Sequence, residues 1–202
     1  TGKPLLIWGP RDDPPDSMGL RTRNAQCGIF AASKVISLMG IPFSYITNSS
    51  VRDAVFNRGF QNFIRSAAVV KAFRSMRIGQ ISTRPEPFWC VMYNEAELLE
   101  RFGIQIVPTP LASIVNAVGV ILESNSAALK DTVEDMRTRF TVQVEDKALK
   151  MMAALKLALL DWVKQECLSG IAMQCWSALN MSLGIVPCLV NGELTSMGIP
   201  VA

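Results

Sequence analysis

Along this chain, short apolar runs alternate with longer stretches in which apolar residues recur every three or four positions. Leu5–Trp8, Ile41–Thr47, Arg77–Ile81, Ile104–Val107, Gly170–Gln174 and Ile185–Val190 have the length and make-up of strands. Between them the period lengthens to that of a helix. Residues 24–39 set Cys27, Phe30, Ala31, Val35 and Leu38 on one side and stop at Gly40. Val51–Arg74 is a long helix carrying Phe56, Phe60, Phe63, Ala67 and Val70 at helical spacing. Asn94 followed by Glu97 is a capping pair ahead of Leu98, Leu99 and Phe102, and Gly103 ends that helix. Shorter helices are expected near 111–118 and 176–183. Strands that are apolar on both faces, alternating with helices, predict an α/β fold. Its open, mainly parallel sheet is covered by helices on both faces, in the Rossmann or flavodoxin manner.

From Glu123 to Cys167 the pattern is helical throughout. Ala127–Phe140 forms one amphipathic helix. Asp146–Gln165, with Leu149, Met152, Leu155, Leu159, Trp162 and Val163, forms another. No Pro- or Gly-rich linker isolates this stretch and no internal repeat occurs. The expectation is therefore one domain over residues 1–202, with a helical insertion at about 120–168.

Composition narrows the class. Half of the 202 residues are hydrophobic and 18% are charged, as in a well-packed globular protein that buries roughly 70% of its unfolded surface. A net charge of +3, spread thinly, leaves no nucleic-acid footprint. No apolar run reaches the ~18 residues of a membrane span, and Lys156 interrupts the most apolar helix, so no membrane partner is expected. Thr1-Gly2-Lys3-Pro4 leads straight into a strand, and no signal peptide is expected. The five cysteines form no C-x-x-C pair and read as buried thiols of a cytoplasmic protein. There is no histidine, which excludes a Ser–His or Cys–His pair or a His-ligated zinc built from this chain alone.

In open parallel sheets, ligands sit beyond the C-terminal ends of the strands. There the sequence puts Arg11, Asp12 and Asp13; Asn48, Ser49 and Ser50; Ser82, Thr83, Arg84 and Glu86; Gln174 and Trp176; and Asn191 and Glu193. Amides, hydroxyls, an arginine and carboxylates near tryptophans suit a neutral ligand with many hydroxyls, such as a monosaccharide. The loop Arg84-Pro85-Glu86-Pro87-Phe88-Trp89 is stiffened by two prolines. No G-x-G-x-x-G or P-loop favours a nucleotide. An ordinary solvated loop, with the tryptophans in the core, explains each of these residues singly. Their convergence is what suggests a site.

Several longer runs carry a resemblance. Leu5-Leu6-Ile7-Trp8-Gly9-Pro10-Arg11-Asp12, Arg21-Thr22-Arg23-Asn24-Ala25-Gln26-Cys27-Gly28 and Asn94-Glu95-Ala96-Glu97-Leu98-Leu99-Glu100-Arg101-Phe102-Gly103 are similar to the L-fucose isomerase and L-arabinose isomerase superfamily. So are Ala172-Met173-Gln174-Cys175-Trp176 and the tail Gly198-Ile199-Pro200-Val201-Ala202. The likeness is closest to the fucose isomerase-like branch and weakest over 120–145. It implies the second α/β domain of a cytoplasmic aldose–ketose isomerase that works through an ene-diol, needs a divalent cation such as Mn²⁺, and assembles as a homo-oligomer. The chain would stop just before the segment bearing the family's first metal-binding glutamate, so the fragment by itself is expected to hold no metal and to be inactive. Glu193 does not match that glutamate. For substrate contact the resemblance implies Gln174; Arg84 and Trp89, in the stiff loop, are candidates for shaping the pocket or meeting a neighbouring subunit. The alternative is a sugar-binding or subunit-packing domain without catalysis.

Overall fold

A computed structural model describes residues 2–202. It is an α/β chain whose strands are all parallel, as the alternation predicts. The strands fall in two sheets, and the residues divide into two compact units, Thr1–Ala72 and Phe73–Ala202.

In the first unit, β1 (Leu6–Trp8) pairs in parallel with β2 (Ser44–Ile46). The connection carries α1 (Ala25–Leu38), capped by Asn24, whose side chain accepts from the Cys27 N–H. The inward residue of α1 is Ile29, which lies over Gly9. The stripe expected to face inward is outward instead: Phe30, Val35 and Leu38 are exposed. Contact with Gly9 just after β1, where a methyl would meet Ile29, decides the face, and periodicity alone picked the wrong one. After β2 comes α2 (Ala54–Phe73), in which Phe56 stacks on Phe60 and tilts against Trp8.

In the second unit the sheet order is β4–β3–β5, with β3 at Arg77–Ile81, β4 at Gln105–Thr109 and β5 at Gly170–Met173. Between β3 and β4 runs α3, which begins at Glu95–Glu97 and widens into a π-helical turn over Leu98–Phe102. Asn94 caps it as expected, accepting from the Glu97 N–H at 3.1 Å, and Gly103 closes it at φ 72°. Three helices link β4 to β5: α4 (Leu111–Ser124), α5 (Ala127–Arg139) and α6 (Asp146–Glu166). They pack with Ile81, Ile171 and Met173 of the sheet into the main hydrophobic core, where Leu129, Met136, Leu155 and Leu159 are fully buried. Among the described residues, no single helix is long and apolar enough to cross a membrane.

Two expectations fail at the end of the chain. Cys175–Leu179 is irregular, because Ser177 takes a positive φ of 63°, and only Asn180–Leu183 (α7) is regular helix. Ile185–Val190 is not a strand: Pro187 initiates α8 (Cys188–Ser196), with Val190 and Leu194 buried at helical spacing. The place beside β5 goes to the tail. Ile171 N–H donates to Pro200 O and Met173 N–H to Ala202 O, both at 2.9 Å, and Ile171 pairs in parallel with Val201.

The cysteines also depart from expectation. Cys27, Cys90, Cys167 and Cys188 are exposed and Cys175 is half-buried. The exposed four sit at the ends of helices or in a short turn, where side chains reach solvent rather than core.

Candidate functional site

Parallel strands end their hydrogen-bond ladder with free groups at the C-terminal edge, and there β3 and β5 bring two loops together. Beyond β3, Ser82 adopts φ 62°. Its N–H donates to Thr109 O at 3.0 Å and its carbonyl accepts from Gln80 Nε2 at 2.9 Å. The Tyr93 hydroxyl donates in turn to Gln80 Oε1. Burial, and then the negative charge of Glu95, push the Tyr93 phenol above its ordinary pKa.

Beyond β5, Gln174 donates its N–H to Ile81 O at 3.3 Å, and its side-chain Oε1 accepts from the Ser82 hydroxyl at 3.1 Å. The two prolines then fold the β3 loop into a turn: Phe88 N–H donates to Pro85 O, and Trp89–Val91 follow as one 3₁₀ turn. The guanidinium of Arg84 donates to Pro85 O and Glu86 O and lies 5.6 Å from the Trp89 ring centre. It is therefore tied into its own loop and braces Trp89, which stays 64% exposed. Phe88 tilts against Trp176 at 5.4 Å, joining this loop to the turn after Gln174. The three residues singled out in the sequence thus belong to one rim, through the Ser82–Gln174 bond and the Phe88–Trp176 contact. Sequence reasoning gave Tyr93, Gln80 and Phe88 no role at the site. Phe88 enters through a contact with the distant Trp176, and Tyr93 and Gln80 through a bond between a loop and the strand before it, which periodicity does not mark.

The remaining rim residues have other duties. Asp12 accepts from the Ala25 N–H at the start of α1, Asp13 pairs with Arg23 at 2.8 Å, and Arg11 pairs with Asp53. Ser49 is buried and accepts from the Trp8 indole N–H at 3.2 Å. Asn191 and Glu193, expected at a strand end, are on α8 instead. Glu193 is buried, and its Oε1 accepts from both Arg139 and Lys156. The second oxygen, Oε2, has no partner among the described residues. Asp135, bonded by Arg139, is held below the usual carboxylate range by that hydrogen bond, while Asp135 and Glu193 together raise the Arg139 pKa. These charges line a cleft of about 570 Å³ between α5, α6 and α8.

Among the described residues, no three Cys, Asp or Glu side chains converge as a divalent cation requires, and the chain has no histidine. The residues present do not fit the Mn²⁺ that the resemblance implies.

Residues 2–74 match the family described as the fucose/sulfoquinovose isomerase N-terminal domain. This corrects the expectation that these residues resemble a second domain. Over nearly its whole length the chain is similar to sulfoquinovose isomerases. It is 24% identical over 192 residues to that of Alkalicoccus urumqiensis, covering 95% of this chain and 42% of the relative. It is 23% identical over 197 residues to that of Priestia megaterium, covering 97% and 43%. With a Clostridium relative the identity is 22% over 192 residues. The chain spans less than half the length of these curated relatives. Its likeness, in both sequence order and family match, is to the fucose/sulfoquinovose isomerase branch.

Proposed function

We propose that this chain is the sugar-binding part of an aldose–ketose isomerase, with its ligand seated on the rim beyond β3 and β5. The convergence of Gln174 with the Arg84–Trp89 loop supports it above all, since the two come from distant parts of the chain to one edge. The similarity to sulfoquinovose isomerases makes sulfoquinovose the first sugar to try, with L-fucose, D-arabinose and L-arabinose beside it. Gln174 offers an amide to a sugar oxygen without bringing a charge. Trp89 and Trp176 present exposed ring faces to the C–H face of a sugar. Arg84 holds Trp89 in place. Residues 2–74 then belong with an N-terminal domain, and the residues after them with the second α/β domain.

In this reading the whole enzyme is a cytoplasmic homo-oligomer that moves a proton between C1 and C2 through an ene-diol. A divalent cation such as Mn²⁺ would have to be held by residues other than those of this chain, where it would supply Lewis-acid chemistry. This chain's share is binding and orientation. The 202-residue chain alone with Mn²⁺ is expected to give no ketose.

The test is Gln174→Ala in the complete enzyme, with Asn180→Ala on exposed α7 as control. Gln174→Ala should lower kcat/KM about ten- to a hundred-fold with melting unchanged, the loss that follows when a buried polar partner goes unpaired. Equal kinetics in both variants, with only Gln174→Ala melting early, would leave the non-catalytic packing role in its place.

A further inference from the structure

Among the described residues, four other than glycine have positive φ: Ser82, Asn125, Cys167 and Ser177. Asn125 and Cys167 end α4 and α6, where a left-handed residue is the ordinary way to close a helix. Ser82 and Ser177 have no such excuse. Both follow strands of the same sheet, in the two loops that meet at the rim.

Ser82 is pinned in this conformation on three sides. The Thr109 carbonyl takes its N–H, Gln80 Nε2 holds its carbonyl, and its hydroxyl donates to Gln174 Oε1. A glycine would adopt φ 62° without the steric cost a Cβ brings, and the first two bonds use only backbone atoms. What serine adds over glycine is the hydroxyl, and the hydroxyl is spent on one partner. That partner's amide has two unlike ends. With Oε1 occupied by Ser82, the Gln174 Nε2 makes no hydrogen bond among the described residues and remains the free end.

We propose that Ser82 is a positioning residue that fixes the Gln174 amide with Nε2 toward the ligand, so that the rim selects a group that accepts. The class so selected is an oxygen presenting a free lone pair: a sugar carbonyl, a ring oxygen, or a hydroxyl turned to accept. This rests on the sugar-binding reading of the rim. The strain at Ser82 is then retained for orientation and is no part of holding the fold together.

Ser82→Gly gives the discriminating variant. It removes the hydroxyl and relieves the left-handed strain at once, so melting should change by less than about 3 °C. In the complete enzyme acting on sulfoquinovose, kcat/KM should fall about three- to tenfold. The same change made in a Gln174→Ala background should cost nothing further, because the two act as one unit. Ser82→Ala, which keeps the strain, should show the same kinetic loss and a lower melting temperature. Independent losses in the double variant, or kinetics of Ser82→Gly like those of the parent, would overturn the proposal.

A second measurement needs no substrate. In the ¹⁵N-labelled 202-residue chain, the side-chain amide signals of Gln174, identified by their loss in Gln174→Ala, should move and broaden in Ser82→Gly. Unchanged signals would sink the positioning role. A complete enzyme inactive on every sugar tried, with these signals still shifted, would refute the isomerase reading alone.

Discussion

The phenol of Tyr93 donates to Gln80, Gln80 donates to the Ser82 carbonyl, and Ser82 donates to Gln174, so one proton stands at the head of a chain of contacts that ends in the rim. Only the neutral phenol donates. Its folded-state pKa is raised above 10.0, so its contribution to stability is fully present below that pH and is lost as pH rises through the raised folded value. The phenolate absorbance that disappears in Tyr93→Phe should therefore develop above pH 10.0 in the parent. The alkaline fall in melting temperature should be shallower in Tyr93→Phe. A Tyr93 signal that titrates at or below the ordinary value would show that the phenol is not so held. Residue by residue, the places of Gln174 after β5 and of Arg84 and Trp89 in a loop after β3 were legible, because strand ends and proline loops announce themselves in sequence. Ser82 was visible only as a rim hydroxyl. Its backbone angle is set by Gln80, two residues before it, together with Thr109, which no short window around it contains.

Among the elements, β3 is tightly placed at Gly79. A Cβ built on Gly79 would lie 2.4 Å from Cη2 of Trp162 and 2.6 Å from Cδ1 of Leu168, so α6 closes on the sheet only because that strand position is bare. Gly79→Ala should cost about 1–3 kcal/mol by overpacking, read as a lower denaturant midpoint, and Trp162→Phe in the same chain should recover part of it. A midpoint unchanged by Gly79→Ala would mean that α6 yields freely. The bounds of β3, α5 and α6 follow from periodicity because their apolar residues are buried where the pattern puts them. The run Ile185–Val190 misled because six mostly apolar residues fit either a strand or the start of a helix. Pro187, which gives up no hydrogen bond at a helix start, settles it. The bond from Lys156 of α6 to Glu193 of α8 then fastens that helix to its neighbour.

At the scale of the whole molecule, burial is unequal. The main core draws on residues from Ile81 to Val201, all in the second unit. In the first unit the buried hydrophobic side chains are Ile7, Ile29 and Ile46. A segment of 72 residues with so few has little to set against its lost chain entropy. Phe73–Ala202 made alone should therefore show a single cooperative melt by circular dichroism. Thr1–Ala72 made alone should show weak helicity without a sharp transition. The reverse pattern would mean that the larger core depends on the smaller unit. The family match ends at residue 74, close to the division after Ala72, so this experiment also separates the part that resembles an N-terminal domain from the rest.

The pairing of Val201 with Ile171 carries a consequence in time. A ribosome delivers β3, β4 and the three long helices first, then β5 with Gln174, and the tail that flanks β5 only after α8. Until Pro200 and Ala202 emerge, the N–H groups of Ile171 and Met173 lack their acceptors and β5 is an open edge. In a cell, then, the strand that aims Gln174 stays open until this tail follows it, and for that interval it is a surface that a chaperone would find.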